Sequence, residues 1–266
     1  MKIGFIGFGN MAKAISNGIA TAGLVSSKDV FVFDIAENAR DAAKAMGFTL
    51  LENEKEVLQK SELVILAVKP QVFSELLEKI KPDTRSENVF LSIAAGISIE
   101  KIAEILGKET AIIRAMPNTP LLLRCGTTVL TCNEFIDADT FSFVRAIFSS
   151  VGTVYELPES KFNEVINVNG STPAYIYLFA KTIVEYADQN GISFDIALPM
   201  LCDTLKGSAE MLTNSGYTPD ELIQMVSSKG GTTVAALNKF EETGFTDSLT
   251  AGMDACLKRA RELSEI

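Results

Sequence analysis

A chain of 266 residues, 47% hydrophobic and 22% charged, has the composition of a globular protein of one or two domains and is too apolar for disorder. Its 34 acidic and 24 basic side chains leave a net charge of −10 with no long basic run, so the electrostatic footprint demanded by a phosphate backbone is missing and no nucleic-acid partner is expected. There is no histidine, which excludes His-assisted serine or cysteine triads and His-ligated metals; the four cysteines (Cys125, Cys132, Cys202, Cys256) form no Cys-x-x-Cys pair, so no metal site is expected and the thiols read as buried and reduced.

The first residues, MKIGFIGFGN, read as a strand entering a glycine turn, which leaves no room for a targeting peptide. The longest apolar run, near residues 63–68, is far too short to span a bilayer, so a cytoplasmic protein without membrane contact is expected. Strands are predicted over residues 2–6, 30–33, 63–68, 89–93, 111–114 and 127–131, with a last one near 153–156. Several are apolar throughout, such as Leu-Val-Ile-Leu-Ala-Val at 63–68, which is how a parallel strand covered on both faces reads. Helical stretches such as 11–22 and 72–80 lie between them. This alternation makes the fold class α/β, with residues 1–158 forming a Rossmann-type, doubly wound parallel sheet.

After Pro158 the pattern changes to apolar residues at three- and four-residue spacing, with no convincing strand. One long helix is predicted over 161–190, kinked or split at Pro173 and stopped by Gly191, and a second over about 195–212. Thr218-Pro219-Asp220-Glu221 reads as an N-cap with proline in the first turn, and a final helix starts near residue 247. Residues 159–266 therefore form an all-α C-terminal domain, rich in Ala, Leu and Met, expected to share a core with a second copy as a homodimer.

Gly7-Phe8-Gly9-Asn10-Met11-Ala12, a G-x-G-x-x-A turn, follows the first strand and opens the first helix. Gly7 permits a tight turn, Gly9 lets backbone approach a pyrophosphate, Ala12 lets helix and strand pack closely, and the helix start offers free amides to the phosphates. Ile6 to Met11 are thus candidate dinucleotide contacts, against the plainer reading of an ordinary tight turn. Asp34 ends the second strand, where a carboxylate meets ribose hydroxyls and repels a 2′-phosphate, hinting at NADH rather than NADPH; it could equally cap the following helix, and Arg40 nearby complicates the choice.

Five further stretches are more specific: Ala67-Val68-Lys69-Pro70, Ala94-Ala95-Gly96, Met116-Pro117-Asn118-Thr119-Pro120, Gly170-Ser171-Thr172-Pro173-Ala174-Tyr175 and Ser228-Lys229-Gly230-Gly231-Thr232-Thr233. In this order, over essentially the whole chain, they resemble pyrroline-5-carboxylate reductases. Strand ends line the crevice of a doubly wound sheet, so Val68, Lys69, Pro70, Ala95, Gly96 and Asn118 are placed to touch ribose or nicotinamide, with Asn53 a weaker candidate and a solvated lysine the alternative for Lys69. By itself the Gly-Gly-Thr-Thr run is either an anion-binding helix start or a plain capped turn. The resemblance implies that Gly230, Gly231, Thr232 and Thr233 bind the substrate carboxylate, that Thr233 contacts the ring nitrogen, and that Glu159 contributes to the substrate pocket. Two departures from the family's usual pattern are Thr172, where glycine is common, and Lys229, where proline is frequent.

The resemblance further implies reduction of L-1-pyrroline-5-carboxylate to L-proline, the last step of proline biosynthesis, by hydride transfer from NADPH or NADH. Thr233 is then the candidate catalytic residue, relaying a proton through water, with Tyr175 a distant second. The helix start near residue 231 must face the nicotinamide ring, in its own subunit or a neighbouring one. Rival readings are a β-hydroxyacid dehydrogenase using Lys181, a reductase of another cyclic imine acid, and a non-catalytic dinucleotide-binding regulator.

Overall fold

The computed structural model describes residues 1–264. The chain divides into two compact units, one of Met1–Pro173 together with the chain from Cys256 onward, the other Ala174–Ala255.

The first unit is built on an eight-stranded sheet: β1 Ile3–Ile6, β2 Val30–Phe33, β3 Thr49–Leu50, β4 Leu63–Leu66, β5 Val89–Ser92, β6 Ala111–Pro117, β7 Gly126–Cys132 and β8 Gly152–Glu156, in the order β3-β2-β1-β4-β5-β6-β7-β8. The order reverses between β1 and β4, which pair in parallel with Ile6 opposite Leu66. Helices α1 Asn10–Ala22, α2 Glu37–Ala45, α3 Glu54–Lys60, α4 Phe73–Ile80, α5 Ile99–Leu106 and α6 Ala138–Ser149 fill the connections. The apolar strand runs split by alternation. Ile3, Phe5, Leu63 and Ile65 point to one core with side chains of α1, α2 and α6. Ile6, Val64 and Leu66 point to another with those of α3, α4 and α5.

The sheet departs from the all-parallel expectation at one place. β7 runs antiparallel to β6, with Pro117 opposite Thr128 and Ile113 opposite Cys132. A parallel return needs a crossover of a dozen or more residues. Between Pro117 and Gly126 there is room only for the short 3-10 turn Thr119–Leu123, closed by Arg124 with φ +59°. The pairing with β7 extends β6 to Pro117, three residues beyond its predicted end. The edge strand β3 has two residues and escaped the pattern because so short a strand carries no periodicity.

The long helix predicted over 161–190 is broken. A 3-10 turn, Glu159–Lys161, leads into the short helix α7, Phe162–Val165, then a π-helical turn, Ile166–Gly170, and then α8, Thr172–Gln189. Pro173 has no N–H to continue the α register. The Thr172 hydroxyl donates instead to the Asn167 carbonyl, and the Ser171 N–H to the Ile166 carbonyl at 2.8 Å. The remaining helices are α9 Phe194–Asn214, α10 Pro219–Met225, α11 Thr232–Glu242 and α12 Phe245–Ser264. Thr218 and Glu221 close a reciprocal capping box on α10.

The end of α12 belongs to the first unit, where Ala260 joins Met116, Val129, Phe162 and Ile166 in a small third core. A Cβ on Gly96 would lie 2.7 Å from the Cβ of Leu263, so glycine there lets α12 approach. The four cysteines are free, but the expectation that they are buried fails: Cys125 is exposed just after the Arg124 turn, and Cys132, Cys202 and Cys256 are half-buried. Burial, with Glu156 adding a smaller repulsion, pushes the Cys132 thiol pKa up. Among the described residues no helix is long and apolar enough to cross a membrane.

Candidate functional site

Ligands of doubly wound sheets collect outside the carboxyl ends of the strands at the order reversal, which here means the turns after β1 and β4. Gly7 takes φ +89°, and a Cβ there would lie 2.7 Å from the Ala67 carbonyl oxygen. Strain and crowding both demand glycine. Phe8 turns its ring into the core, edge-on to Phe5 and Phe48 at 5.4 and 6.0 Å. Gly9 caps α1 with an extended backbone, and a Cβ there would meet nothing within 4 Å. No side chain caps α1 and no acidic residue stands in its first turn. The leading amides therefore keep their donor capacity and partial positive charge, and the space above Gly9 fits a pyrophosphate.

A crevice of about 450 Å³ opens at this turn. Gly9, Asn10, Met11 and Ala12 form one side; Ala67, Val68, Lys69 and Pro70 come from the end of β4; Ile93, Ala94 and Ala95 follow β5; Met116, Pro117, Asn118 and Thr119 end β6; Ile166, Gly170 and Ser171 come from the π-helical turn. A second recess of about 270 Å³ lies on the β2 side, lined by Ile6, Gly7, Asp34, Ile35, Glu54 and Lys79, among others. The predicted residues Ile6, Gly7, Gly9, Asn10, Met11, Asp34, Val68, Lys69, Pro70, Ala95 and Asn118 thus line one of two adjoining hollows.

Others hold the frame. Gly96 is buried beneath Leu263. Asn53 is the N-cap of α3, accepting the Glu56 N–H at 3.0 Å. Asp34 does two jobs at once: Oδ2 accepts the Phe8 N–H at 2.5 Å and Oδ1 the Ala36 N–H at 2.7 Å, so the carboxylate ties the glycine turn to the β2 end. Asn118 is fully engaged, its Oδ1 accepting the Thr127 N–H at 2.8 Å and its Nδ2 donating to Asn169 Oδ1 at 3.0 Å.

Glu159 is not among the crevice-lining residues. Its Oε1 accepts the Ile99 N–H at the start of α5 at 2.6 Å and an Nη1 hydrogen of Arg114 at 3.0 Å. Arg114 is 3% exposed, stacks 4.8 Å over the Phe162 ring, and its Nε and Nη2 have no hydrogen-bond partner among the described residues. Burial lowers the guanidinium pKa and the Glu159 carboxylate opposes the shift; the group nonetheless stays charged. Sequence reasoning passed over Arg114 and Asn169. A charged residue inside the apolar strand Ala-Ile-Ile-Arg-Ala-Met was the available signal for the first, and two asparagines ahead of Gly170 for the second.

The second unit carries the other predicted constellation. Gly230 takes φ +75°, and Gly231 caps α11 while donating its N–H to the Ser228 carbonyl at 2.9 Å. A Cβ on Gly231 would lie 2.7 Å from Ser228 Oγ and 3.0 Å from Ser228 O, so the turn needs glycine. No side chain caps α11 and no acid stands in its first turn, where Thr232 is exposed and Thr233 half-buried. Lys229 is exposed, Tyr175 lies on α8, and Lys181 is paired with Glu185 at 2.8 Å.

A doubly wound sheet with an open glycine turn at its order reversal defines a dinucleotide-binding protein of the Rossmann type. Comparison with known proteins narrows the class. Residues 159–263 match the family model for pyrroline-5-carboxylate reductase dimerisation, and residues 2–96 match that of NADP oxidoreductase, coenzyme F420-dependent. The chain is 34% identical to the pyrroline-5-carboxylate reductase of Escherichia coli over 99% of its own length and 98% of the relative's. It is 32% identical to that of Pisum sativum, covering 98% and 96%. The Plasmodium falciparum pyrroline carboxylate reductase, solved with NADP bound, superposes with a TM-score of 0.92 at 28% identity, covering 99% of this chain and 98% of that one. The Streptococcus pyogenes enzyme gives 0.91 at 30% identity, covering 98% of each. The chain belongs to the pyrroline-5-carboxylate reductase family.

Removing the partner of a buried charge is costly. Glu159→Ala is expected to destabilise the protein by about 3 kcal/mol, read as a lower midpoint of thermal unfolding by circular dichroism.

Proposed function

We propose that the chain reduces L-1-pyrroline-5-carboxylate to L-proline with NADH or NADPH. The observation that carries this reading is a pair of glycine-headed helix starts, at α1 and α11, each without a side-chain cap or an acid in its first turn. Helix starts of that kind take anions; a pyrophosphate and a small carboxylate are the two that this reaction requires. A bound reduced nicotinamide supplies the hydride for the C=N bond.

The amides of Gly9, Asn10 and Met11 take the pyrophosphate, on a floor shaped by Ile6, Gly7 and Phe8. Val68, Lys69, Pro70, Ala95 and Asn118 wall the nicotinamide end. Gly96 seats the loop that carries Ala95, and Asn53 fixes the start of α3 beside the adenosine recess. Gly230 and Thr232 present amides to the substrate carboxylate, Gly231 shapes the turn between them with its own N–H held by the Ser228 carbonyl, and the Thr233 hydroxyl orients the ring nitrogen and passes it a proton from water. Glu159, engaged by Arg114 and the Ile99 amide, serves the substrate side by fixing the chain around residues 158–162. A substrate that arrives as a protonated imine becomes the neutral amine on hydride transfer, so the proton delivered through Thr233 goes to the product amine and no strong protein acid is needed, which suits a chain without histidine.

The test follows absorbance for two reactions: oxidation of NADH or NADPH with pyrroline-5-carboxylate and, separately, reduction of NAD+ or NADP+ with hydroxyacids. Turnover of the imine is expected. Reduction of NAD+ or NADP+ by hydroxyacids without turnover of the imine, or no reaction at all, refutes the proposal. Thr233→Ala is expected to lower kcat/KM roughly 10-fold or more, the scale of one hydrogen bond to a charged group; unchanged kinetics remove Thr233 from the mechanism.

Asp34 places a carboxylate in the recess where adenosine ribose belongs, which disfavours a 2′-phosphate. A higher kcat/KM with NADH than with NADPH is expected, and a strong NADPH preference overturns the assignment.

We also infer a homodimer built through the C-terminal helices. Within residues 174–255 the buried hydrophobic side chains are Val184 and Ala197, while Tyr177, Leu178, Tyr186, Phe194, Met200 and Val226, among others, are exposed. An apolar surface so extensive calls for a partner. Light scattering is expected to give the mass of two chains or a multiple of it; a monomer mass that does not change with concentration rules this out.

A further inference from the structure

Asn169 is 4% exposed and has no part in the reaction as outlined above. It lies in the π-helical turn Ile166–Gly170, a rare backbone form that occurs mostly as single turns within helices and frequently at functional sites. Pro173 can offer no N–H to the Asn169 carbonyl, which would be its partner in an α-helix. That carbonyl receives the Asn118 Nδ2 instead, at 3.5 Å.

The Asn169 side chain faces the end of β6. Its Nδ2 donates to the Met116 carbonyl at 2.6 Å, and its Oδ1 accepts Asn118 Nδ2 at 3.0 Å. A carbonyl only accepts, so the Met116 contact fixes which way the amide points. Asn118 is anchored in turn by the Thr127 N–H on β7, at 2.8 Å. One buried amide therefore staples two walls of the same crevice, residues 116–118 on one side and Ile166, Gly170 and Ser171 on the other. These walls stand on the β4–β6 side of the glycine turn, away from the Asp34 recess, where the nicotinamide half of a dinucleotide belongs when its adenosine half lies at β2.

We propose that Asn169 is a positioning residue for hydride transfer, setting through Met116 and Asn118 the wall against which the nicotinamide rests. The inference rests on the reductase reading. Hydride transfer demands donor and acceptor within about 3–3.5 Å, and small misplacements cost rate steeply. The pyrophosphate and adenosine contacts lie elsewhere, so a displaced wall costs turnover rather than nucleotide affinity.

Asn169→Asp keeps the acceptor for Asn118 but turns a carboxylate oxygen on the Met116 carbonyl, and Asn169→Ala removes both bonds. Each variant is titrated with NADH by fluorescence, and turnover is expressed per NADH-binding site with NADH and with NADH deuterated at the transferred position. NADH affinity within about threefold of the parent is expected. So is a fall in kcat of roughly 10-fold or more per site, with a larger primary isotope effect on kcat as hydride transfer becomes the slow step. A parent protein that binds NADH but does not reduce the imine overturns the reductase reading, and this inference with it. An active parent with unchanged kcat per site and isotope effect in the variants overturns the inference alone. If Asn169→Ala does not fold, Asn169→Asp carries the test; loss of folding or of NADH binding in both assigns Asn169 to the framework and overturns the positioning role.

Discussion

The N-terminal unit depends on one close approach, the backbone of Gly7 against the carbonyl of Ala67. β1 and β4 are neighbours whose next strands leave in opposite directions, so their ends part above that contact and leave a hollow on each side of it. A side chain at Gly7 would force the two turns apart and require a left-handed backbone that only glycine adopts without strain. The Asp34 carboxylate reinforces the arrangement by holding the Phe8 amide, linking the ends of β1 and β2 as Gly7 links those of β1 and β4.

Much of this unit was legible because burial on both faces writes itself into sequence. A run such as Leu-Val-Ile-Leu has to be a covered strand, and the glycine turn is recognisable by its place after such a strand. The antiparallel β7 was legible too, in hindsight, from the short stretch between Pro117 and Gly126. What could not be read were features settled by distant partners. Pro173 announced a break in the helix, but the widened turn ahead of it takes its shape with the Met116 carbonyl and Asn118 engaging Asn169. Arg114 stood out as a charge in an apolar strand, yet nothing local pointed to Glu159 as its counter-ion. Conversely, Asn53 and Asp34 sit where cofactor ligands are expected, and both carry backbone hydrogen bonds that the residue type alone leaves open.

A common economy runs through both units. The chain has no histidine and, among the described residues, no cluster of side chains able to hold a metal. Each unit instead carries a helix start, α1 in one and α11 in the other, whose leading backbone amides lack a side-chain cap. Such donors do not titrate, so a site built from them keeps its charge complementarity across the whole range in which the fold survives.

The end of α12 returns to the first unit, where Ala260 enters its third core and Leu263 covers Gly96 next to the crevice-lining Ala95. The first unit is therefore assembled from segments separated by the whole of residues 174–255, and its third core closes only after that intervening stretch has been synthesised. Synthesis that halts within residues 174–255 leaves a product whose sheet strands are all present but whose third core lacks Ala260 and whose Gly96 is uncovered.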